Sequence, residues 1–122
     1  MMKFRIFDLK KEEYIKGNSK FFLSQIGTLH HLYSEIDEGD FVVQFSTGIK
    51  DERGIEVYEG DILTIQNGDK SNDYEVVYRR GAFRLNEIKH SQLRKAMPIG
   101  EYSKFKIVDN VFKKPWNPYF NS

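Results

Sequence analysis

Apolar and polar positions in this chain alternate over short stretches. Glycine or a polar pair breaks the alternation at intervals of about 8 to 12 residues, the rhythm of short antiparallel strands. Between Lys3 and Leu9, Phe4 and Ile6 face one side and Arg5 and Phe7 the other, which predicts a strand with one strongly buried face. Lys10 to Ser19 is mostly polar, with a Gly17-Asn18 breaker. In Phe21 to Tyr33, Phe22, Ile26, Leu29 and Tyr33 recur at helical spacing, but Gly27, Thr28 and the dense aromatics favour two strands interrupted at Gly27. Glu35 to Asp40 reads as an acidic loop ending in a Gly39-Asp40 turn, and Phe41 to Phe45 as an apolar strand.

The next stretch carries the densest turn chemistry. Asp51-Glu52-Arg53-Gly54 separates two β-type runs and predicts a hairpin tip with Gly54 at positive φ. Tyr58-Glu59-Gly60-Asp61 has glycine at its third position, as a type II turn requires, so the chain reverses or kinks there. Gly48, Asp51, Gly54, Tyr58, Glu59, Gly60 and Asp61 are therefore read as structural turn residues. Ile62 to Gln66, Tyr74 to Arg79 and Phe83 to Ile88 follow as strands, separated by Asn67-Gly68-Asp69 and Arg80-Gly81. Ser91 to Met97 predicts a short helix capped by Ser91 and stopped by Pro98. Phe105 to Phe112 returns to a strand pattern, and Pro115-Trp116-Asn117-Pro118 cannot continue a central ladder.

The pattern predicts a mainly β fold, a compact antiparallel barrel-like or sandwich domain with at most one or two short helices, spanning residues 1–122 as a single domain. The predicted core is Phe41, Val43, Phe45, Ile55, Val57, Ile62, Val76, Tyr78, Phe83, Leu85, Phe105 and Ile107. With ten Phe and seven Tyr among 122 residues, the chain carries too many large apolar groups for disorder.

Charge changes the picture. The net charge of +1 hides an asymmetry: residues 1–78 hold nine Lys/Arg against fifteen Asp/Glu, and residues 79–122 hold ten against three. Such a split reads first as ordinary solvated charge with some internal pairing, and otherwise suits a basic face for an acidic partner or two parts that attract each other within or between subunits. The chain has no cysteine, which removes disulfides and thiolate chemistry and fits a reducing compartment. No apolar run approaches the roughly 20 residues of a membrane span, so a cytoplasmic protein is expected.

Candidate chemistry is sparse. Glu56, Glu59 and Asp61 are carboxylates at a strand and its turn, and they read as turn chemistry, with Asp61 accepting backbone N–H groups. His30 and His31 are adjacent, so on a strand they point to opposite faces and do not chelate one ion. His90 beside Ser91 lacks an identifiable acid partner. The glycines are dispersed singly and form no phosphate cradle. No catalytic residue, metal site or cofactor is expected. The basic residues Arg79, Arg80, Arg84, Lys89, Arg94, Lys95, Lys104, Lys106, Lys113 and Lys114 are interleaved with Tyr78, Phe83, Tyr102, Phe105 and Trp116. A small β-barrel could use such residues to bind nucleic acid through a cationic groove and stacking rings, with Arg79, Arg80, Arg84, Arg94, Lys95, Lys104, Lys106 and Trp116 as contacts to nucleic acid or an acidic partner. Against this, Phe83 and Phe105 fall where strands need core residues. The sequence pI of about 7.9 is also below the value above about 9 typical of nucleic-acid binders.

Several separated segments resemble one family in order and position. Thr47 and Gly48, Asp51 and Gly54, and Tyr58 to Asp61 match the Thr-Gly, Asp-plus-Gly turn and Tyr-Glu-Gly-Asp signature of the YopX family of phage and prophage proteins. Phe4 to Asp8 and Ile107 to Phe112 resemble its two ends. The chain departs from the pattern at Phe7, where the family has Trp, and at Val108-Asp109-Asn110, where it has Ile-Gly-Asn. It departs again at Lys113-Lys114-Pro115-Trp116, which replaces an acidic ending with a basic one. The resemblance implies a mainly β, self-associating domain encoded by mobile elements, and it supplies no catalytic residues. The expectation is a non-enzymatic phage accessory protein in the cytoplasm of the bacterial host. It would form homo-oligomers or contact a host or phage protein, with a nucleic-acid-binding barrel as the alternative.

Overall fold

The computed structural model describes residues 3–16, 20–88, 97–98 and 104–112. These form eleven short strands and one 3-10 turn, Glu38–Asp40, and none of their segments is a helix long and apolar enough to cross a membrane. A four-stranded antiparallel sheet places β1 (Phe4–Asp8) between β2 (Glu13–Tyr14) and β5 (Phe41–Lys50), with β6 (Glu56–Tyr58) beyond β5. A five-stranded sheet runs β10 (Met97–Pro98), β9 (Ala82–Glu87), β8 (Lys70–Arg79), β7 (Asp61–Asn67), β11 (Phe105–Asn110). The expected strand pair around Gly27 is present as a separate hairpin, β3 (Phe21–Leu23) and β4 (Leu29–His31), with Gly27 at φ 86°. The mainly β architecture is as the pattern predicted.

The core lies on one face of the larger sheet. Val57, Leu63, Ile65, Tyr74, Val76, Leu85 and Phe105 are buried together, with Ile49, Phe83 and Ile107 packed against them. Of the predicted core, Val57, Ile62, Val76, Leu85 and Phe105 are buried, and Phe41, Val43, Phe45, Phe83 and Ile107 are half-buried. Two assignments need correction. Ile55 is 47% exposed because it follows the hairpin tip before β6 begins, and Tyr78 is 41% exposed because β8 outruns β7, whose first apolar residue, Ile62, stops opposite Glu75. β1 also differs from expectation: Ile6 and Phe7 are both buried although they face opposite sides, since Tyr14 packs edge-on against Phe7 at 5.0 Å.

Two boundaries shift. β5 continues past Phe45 to Lys50 through an irregularity at Gly48 (φ 78°): five residues of β5, Ser46 to Lys50, lie opposite only three of β6, Tyr58 to Glu56. Glycine there lets the strand bulge without the strain a side chain would meet at positive φ. Met97 and Pro98, expected to end a helix, instead pair with Leu85 and Arg84 as an edge strand, a position that tolerates a proline without an N–H. Ser91 to Ala96 and Pro115 to Pro118 lie outside the described residues.

The two sheets are joined where the hairpin tip meets β11. Asp51 is buried, and its Oδ1 accepts the N–H groups of Arg53 (2.9 Å) and Ile55 (3.0 Å). Its Oδ2 accepts from the Arg53 guanidinium (2.9 and 3.1 Å) and from the N–H of Ile107 on β11 (3.2 Å). Arg53 also donates to the Ile107 carbonyl (2.6 Å), and Glu52 N–H to that of Phe105 (3.1 Å). Burial pulls the Asp51 carboxyl upward, but the N–H groups of Ile55 and Ile107, the Arg53 side chain and the Arg53 N–H outweigh it and hold the pKa at about 2, below its ordinary 3.8.

A carboxylate held low stabilises the fold fully above the unfolded-state value and progressively less as pH falls through the folded value. Thermal melting should therefore change little between pH 7 and about pH 4 on account of this group and fall between about pH 4 and pH 2. Asp51→Asn should be less stable at pH 7 and show a shallower acid decline. Identical acid profiles for the two proteins would contradict this role for Asp51.

Candidate functional site

The turn over Tyr58 to Asp61 carries the chain from the smaller sheet to the larger one, and polar residues from five strands converge behind it. Gly60 has φ 86°, as its turn position predicted. Asp61, 2% exposed, accepts the N–H of Tyr58 at 2.8 Å through Oδ2, the turn chemistry expected of it. Its Oδ1 accepts the Arg5 guanidinium from β1 and the Asn110 side-chain amide from the end of β11 at 3.3 Å. Gln44 on β5 is fully buried, and its Oε1 accepts Arg5 Nε (2.7 Å), the Tyr14 hydroxyl (3.2 Å) and Asn110 Nδ2 (3.4 Å). The Arg5 guanidinium also lies over the rings of Tyr14 and Tyr58, 4.3 and 4.4 Å from their centroids, a cation-π arrangement that covers its faces. Burial pushes the Tyr14 phenol up to about 12, with Arg5 opposing, so it remains a hydrogen-bond donor at neutral pH.

This cluster is spent on itself. Buried charges persist when paired and hydrogen-bonded, and every acceptor of Asp61 and Gln44 is engaged by a neighbouring strand. One donor of the cluster is left over: Gln44 Nε2 is buried with no hydrogen-bond partner among the described residues. It packs over Gly60, where a Cβ would stand 2.5 Å from it. Above this point opens a groove of about 250 Å³ between β5 and β8, floored by Gln44 and Gly60 and flanked by Glu59, Glu75 and Phe112.

The YopX protein family model matches residues 3–116. The chain belongs to the YopX family. Its fold is similar to the crystal structure of protein EF1440 from Enterococcus faecalis, with 20% identity, a TM-score of 0.59, and 94% of this chain and 96% of that one covered. It is equally similar to the crystal structure of protein yopX from Bacillus subtilis, at 20% identity and a TM-score of 0.59, over 89% and 91% of the two chains. No curated protein matches it. In this YopX chain, the signature residues Tyr58 to Asp61 are thus the junction of the two sheets.

The remaining candidate residues fall in separate places. Glu56 pairs with Lys3 at 3.0 Å, and Glu59 Oε1 accepts the Phe45 N–H at 3.3 Å. His30 and His31 sit on opposite faces of β4, stacked on Phe22 and edge-on to Phe21 respectively. Among the described residues no group of three or more His, Cys, Asp or Glu is placed to hold a metal. Arg79 and Arg80 are exposed at the β8–β9 turn with Arg84 half-buried nearby on β9, whereas Lys104 just before β11 and Lys106 on it are exposed, with Lys106 paired to Glu52 at 3.2 Å. By register Arg79 lies four residues beyond the level of Ile62 and Lys104 at the level of Gln66, at opposite ends of the sheet. That is about 26 Å along straight strands. The described cations form two groups, not one strip. Phe105 is buried and Phe83 packs on the core, so of the described interleaved aromatics Tyr78 alone offers substantial exposed ring. Arg94, Lys95 and Trp116, like Lys89, His90, Tyr102, Lys113 and Lys114, lie outside the described residues.

Sequence reading found Asp61 and Gly60 but missed Arg5, Tyr14, Gln44 and Asn110. The available signal was a polar residue inside an apolar strand run: Arg5 among Phe4, Ile6 and Phe7; Gln44 between Val43 and Phe45; Asn110 before Val111 and Phe112.

Gly54 and Gly60 allow a matched test, because both have positive φ but a Cβ at Gly54 would meet nothing within 4 Å. Gly54→Ala should cost about 1 kcal/mol of backbone strain. Gly60→Ala should cost at least about 2 kcal/mol, since the Gln44 amide is held by Arg5, Tyr14 and Asn110 and cannot swing aside. Equal losses in urea unfolding would contradict this packing.

Proposed function

We propose that this YopX protein is a phage- or prophage-encoded accessory protein of the bacterial cytoplasm that works without catalysis, as a self-associating interaction module. The observation that carries the reading is the β3–β4 hairpin. Its inner side is anchored, with Leu29 buried and Phe21 packed on Phe41 at 5.1 Å. Its other surfaces present Phe22 (42% exposed), Ile26 (90%), Leu32 (60%) and Tyr33 (78%). A two-stranded sheet is marginal in water by itself, and large apolar side chains left exposed on and beside it are available to an association surface. The opposite charges of residues 1–78 and 79–122 suit attraction between copies of the chain. The buried polar cluster supports a structural use of the signature residues, because its acceptors are consumed internally. The nucleic-acid alternative draws on Arg79, Arg80 and Arg84 beside Tyr78, a smaller surface than the full basic constellation suggested.

Light scattering coupled to size exclusion should give a dimer or larger assembly at micromolar concentration. The double variant Ile26→Glu/Tyr33→Glu, altering only exposed positions, should shift to the monomer mass with unchanged circular dichroism. A wild-type monomer at every concentration, or an unchanged mass in the variant, would overturn the reading.

A further inference from the structure

The groove above Gly60 is a gap in the strand order. Its walls include three consecutive residues of β5, Val42 to Gln44, and five of β8, Glu75 to Arg79. Successive side chains point to opposite faces of a strand, so a cavity touching all of them lies along strand edges. The backbone hydrogen bonds say the same. Ser46 N–H donates to Lys3 and Leu9 N–H to Asp40, so the even-numbered residues of β5 pair with β1 and the odd-numbered ones turn away from it. Phe45 is consumed by Glu59, whose N–H reaches its carbonyl at 2.9 Å. Phe41 and Val43 have no ladder partner on that side among the described residues, because β6 begins its pairing at Ser46. On the far wall, Ile88 N–H donates to Asp73, so odd-numbered residues of β8 face β9 and even-numbered ones face β7. Val76 is capped by Gly60, whose N–H reaches its carbonyl at 2.8 Å, and Tyr78 lies beyond.

The backbone of Glu59 and Gly60 therefore spans from β5 to β8 as one strand would. One strand lying between β5 and β8 would need two strand spacings, about 9.5 Å. We propose that this slot accepts an extended peptide strand of a partner protein, one carrying lysine or arginine. The inference deepens the interaction-module reading and rests on it. A strand placed there would receive main-chain hydrogen bonds from Phe41 and Val43 on one side and Tyr78 on the other, the manner of recognition by strand addition. A basic residue is specified by Glu59 and Glu75, which among the described residues flank the slot against one cation, Arg79. Glu75 is already disfavoured as an anion: burial raises its pKa, Arg79 lowers it and Glu59 raises it further. An incoming ammonium or guanidinium would relieve that pair.

The test uses the full chain and two fluorescent eight-residue peptides, one alternating valine with lysine and one alternating valine with glutamate. Fluorescence anisotropy should show the lysine peptide binding at least tenfold more tightly than the glutamate peptide. Val43→Pro removes a donor that faces only the slot, leaving the Val42 and Gln44 pairing to β1 intact, and should weaken binding at least tenfold. Glu75→Gln, which keeps shape and loses charge, should weaken it several-fold and serves if the proline variant melts early. Amide exchange at Val43 and Tyr78 should slow when the lysine peptide is added. No binding, binding indifferent to both substitutions, or Val43 and Tyr78 amides already protected in the free protein would overturn the proposal, the last because the chain or a second copy then fills the slot. A monomeric protein that takes the peptide loses self-association and keeps the slot; an oligomer that ignores it does the reverse.

Discussion

A carboxylate buried in a β domain must be neutralised where it lies, and Asp61 meets that demand through the half-buried guanidinium of Arg5, which ties the molecule together. Arg5 lies 56 residues from Asp61 in the chain and 39 from its other acceptor, Gln44. Satisfying both fixes β1, β5 and the start of β7 relative to one another. Asn110 adds the end of β11, and Tyr14 and Tyr58 close over the charge from β2 and β6. Removing Arg5 leaves the Asp61 carboxylate buried and uncompensated, which costs about 3–5 kcal/mol. The cluster therefore specifies one relative placement of two sheets that hydrophobic burial alone would leave less defined.

Around that point the turn and the hairpin tip do complementary work. Glu59 and Gly60 hold β5 and β8 one strand apart, while Asp51 and Arg53 fasten the tip to the β11 bulge at Ile107. Both junctions use a buried aspartate as a multiple acceptor, and both place glycine where a side chain would be strained. The slot follows from the same geometry: β5 outruns β6 and β8 outruns β7, so the turn fills only the lower part of the space between them. Structure and recognition thus share one constraint, the fixed separation set by the turn.

Local chemistry was legible in the sequence, and non-local pairing was not. Gly54 and Gly60 announced positive φ because turn types demand it at those offsets, and the β7, β8 and β9 runs were readable between their breakers. Asp61 was recognised as a turn acceptor but not as an ion-pair partner, since nothing near it in sequence points to Arg5. Alternation puts Ile55 and Tyr78 in the core because it marks a face without saying how far the neighbouring strand extends to cover it. Met97 and Pro98 joined an edge strand because tertiary pairing with β9 overrides a short stretch of helix formers. The slot could not be read at all, because it depends on differences in strand length across two sheets.

The account stands on the coupling between Arg5 and Asp61. A double-mutant cycle by denaturant unfolding, with Arg5→Met, Asp61→Asn and the pair, measures it directly. Each single change should cost about 3 kcal/mol, and the double variant should lose less than their sum by at least about 1.5 kcal/mol, because the second change no longer strands a charge. Two small losses that simply add would show that the sheets are held by other contacts and would contradict the central claim.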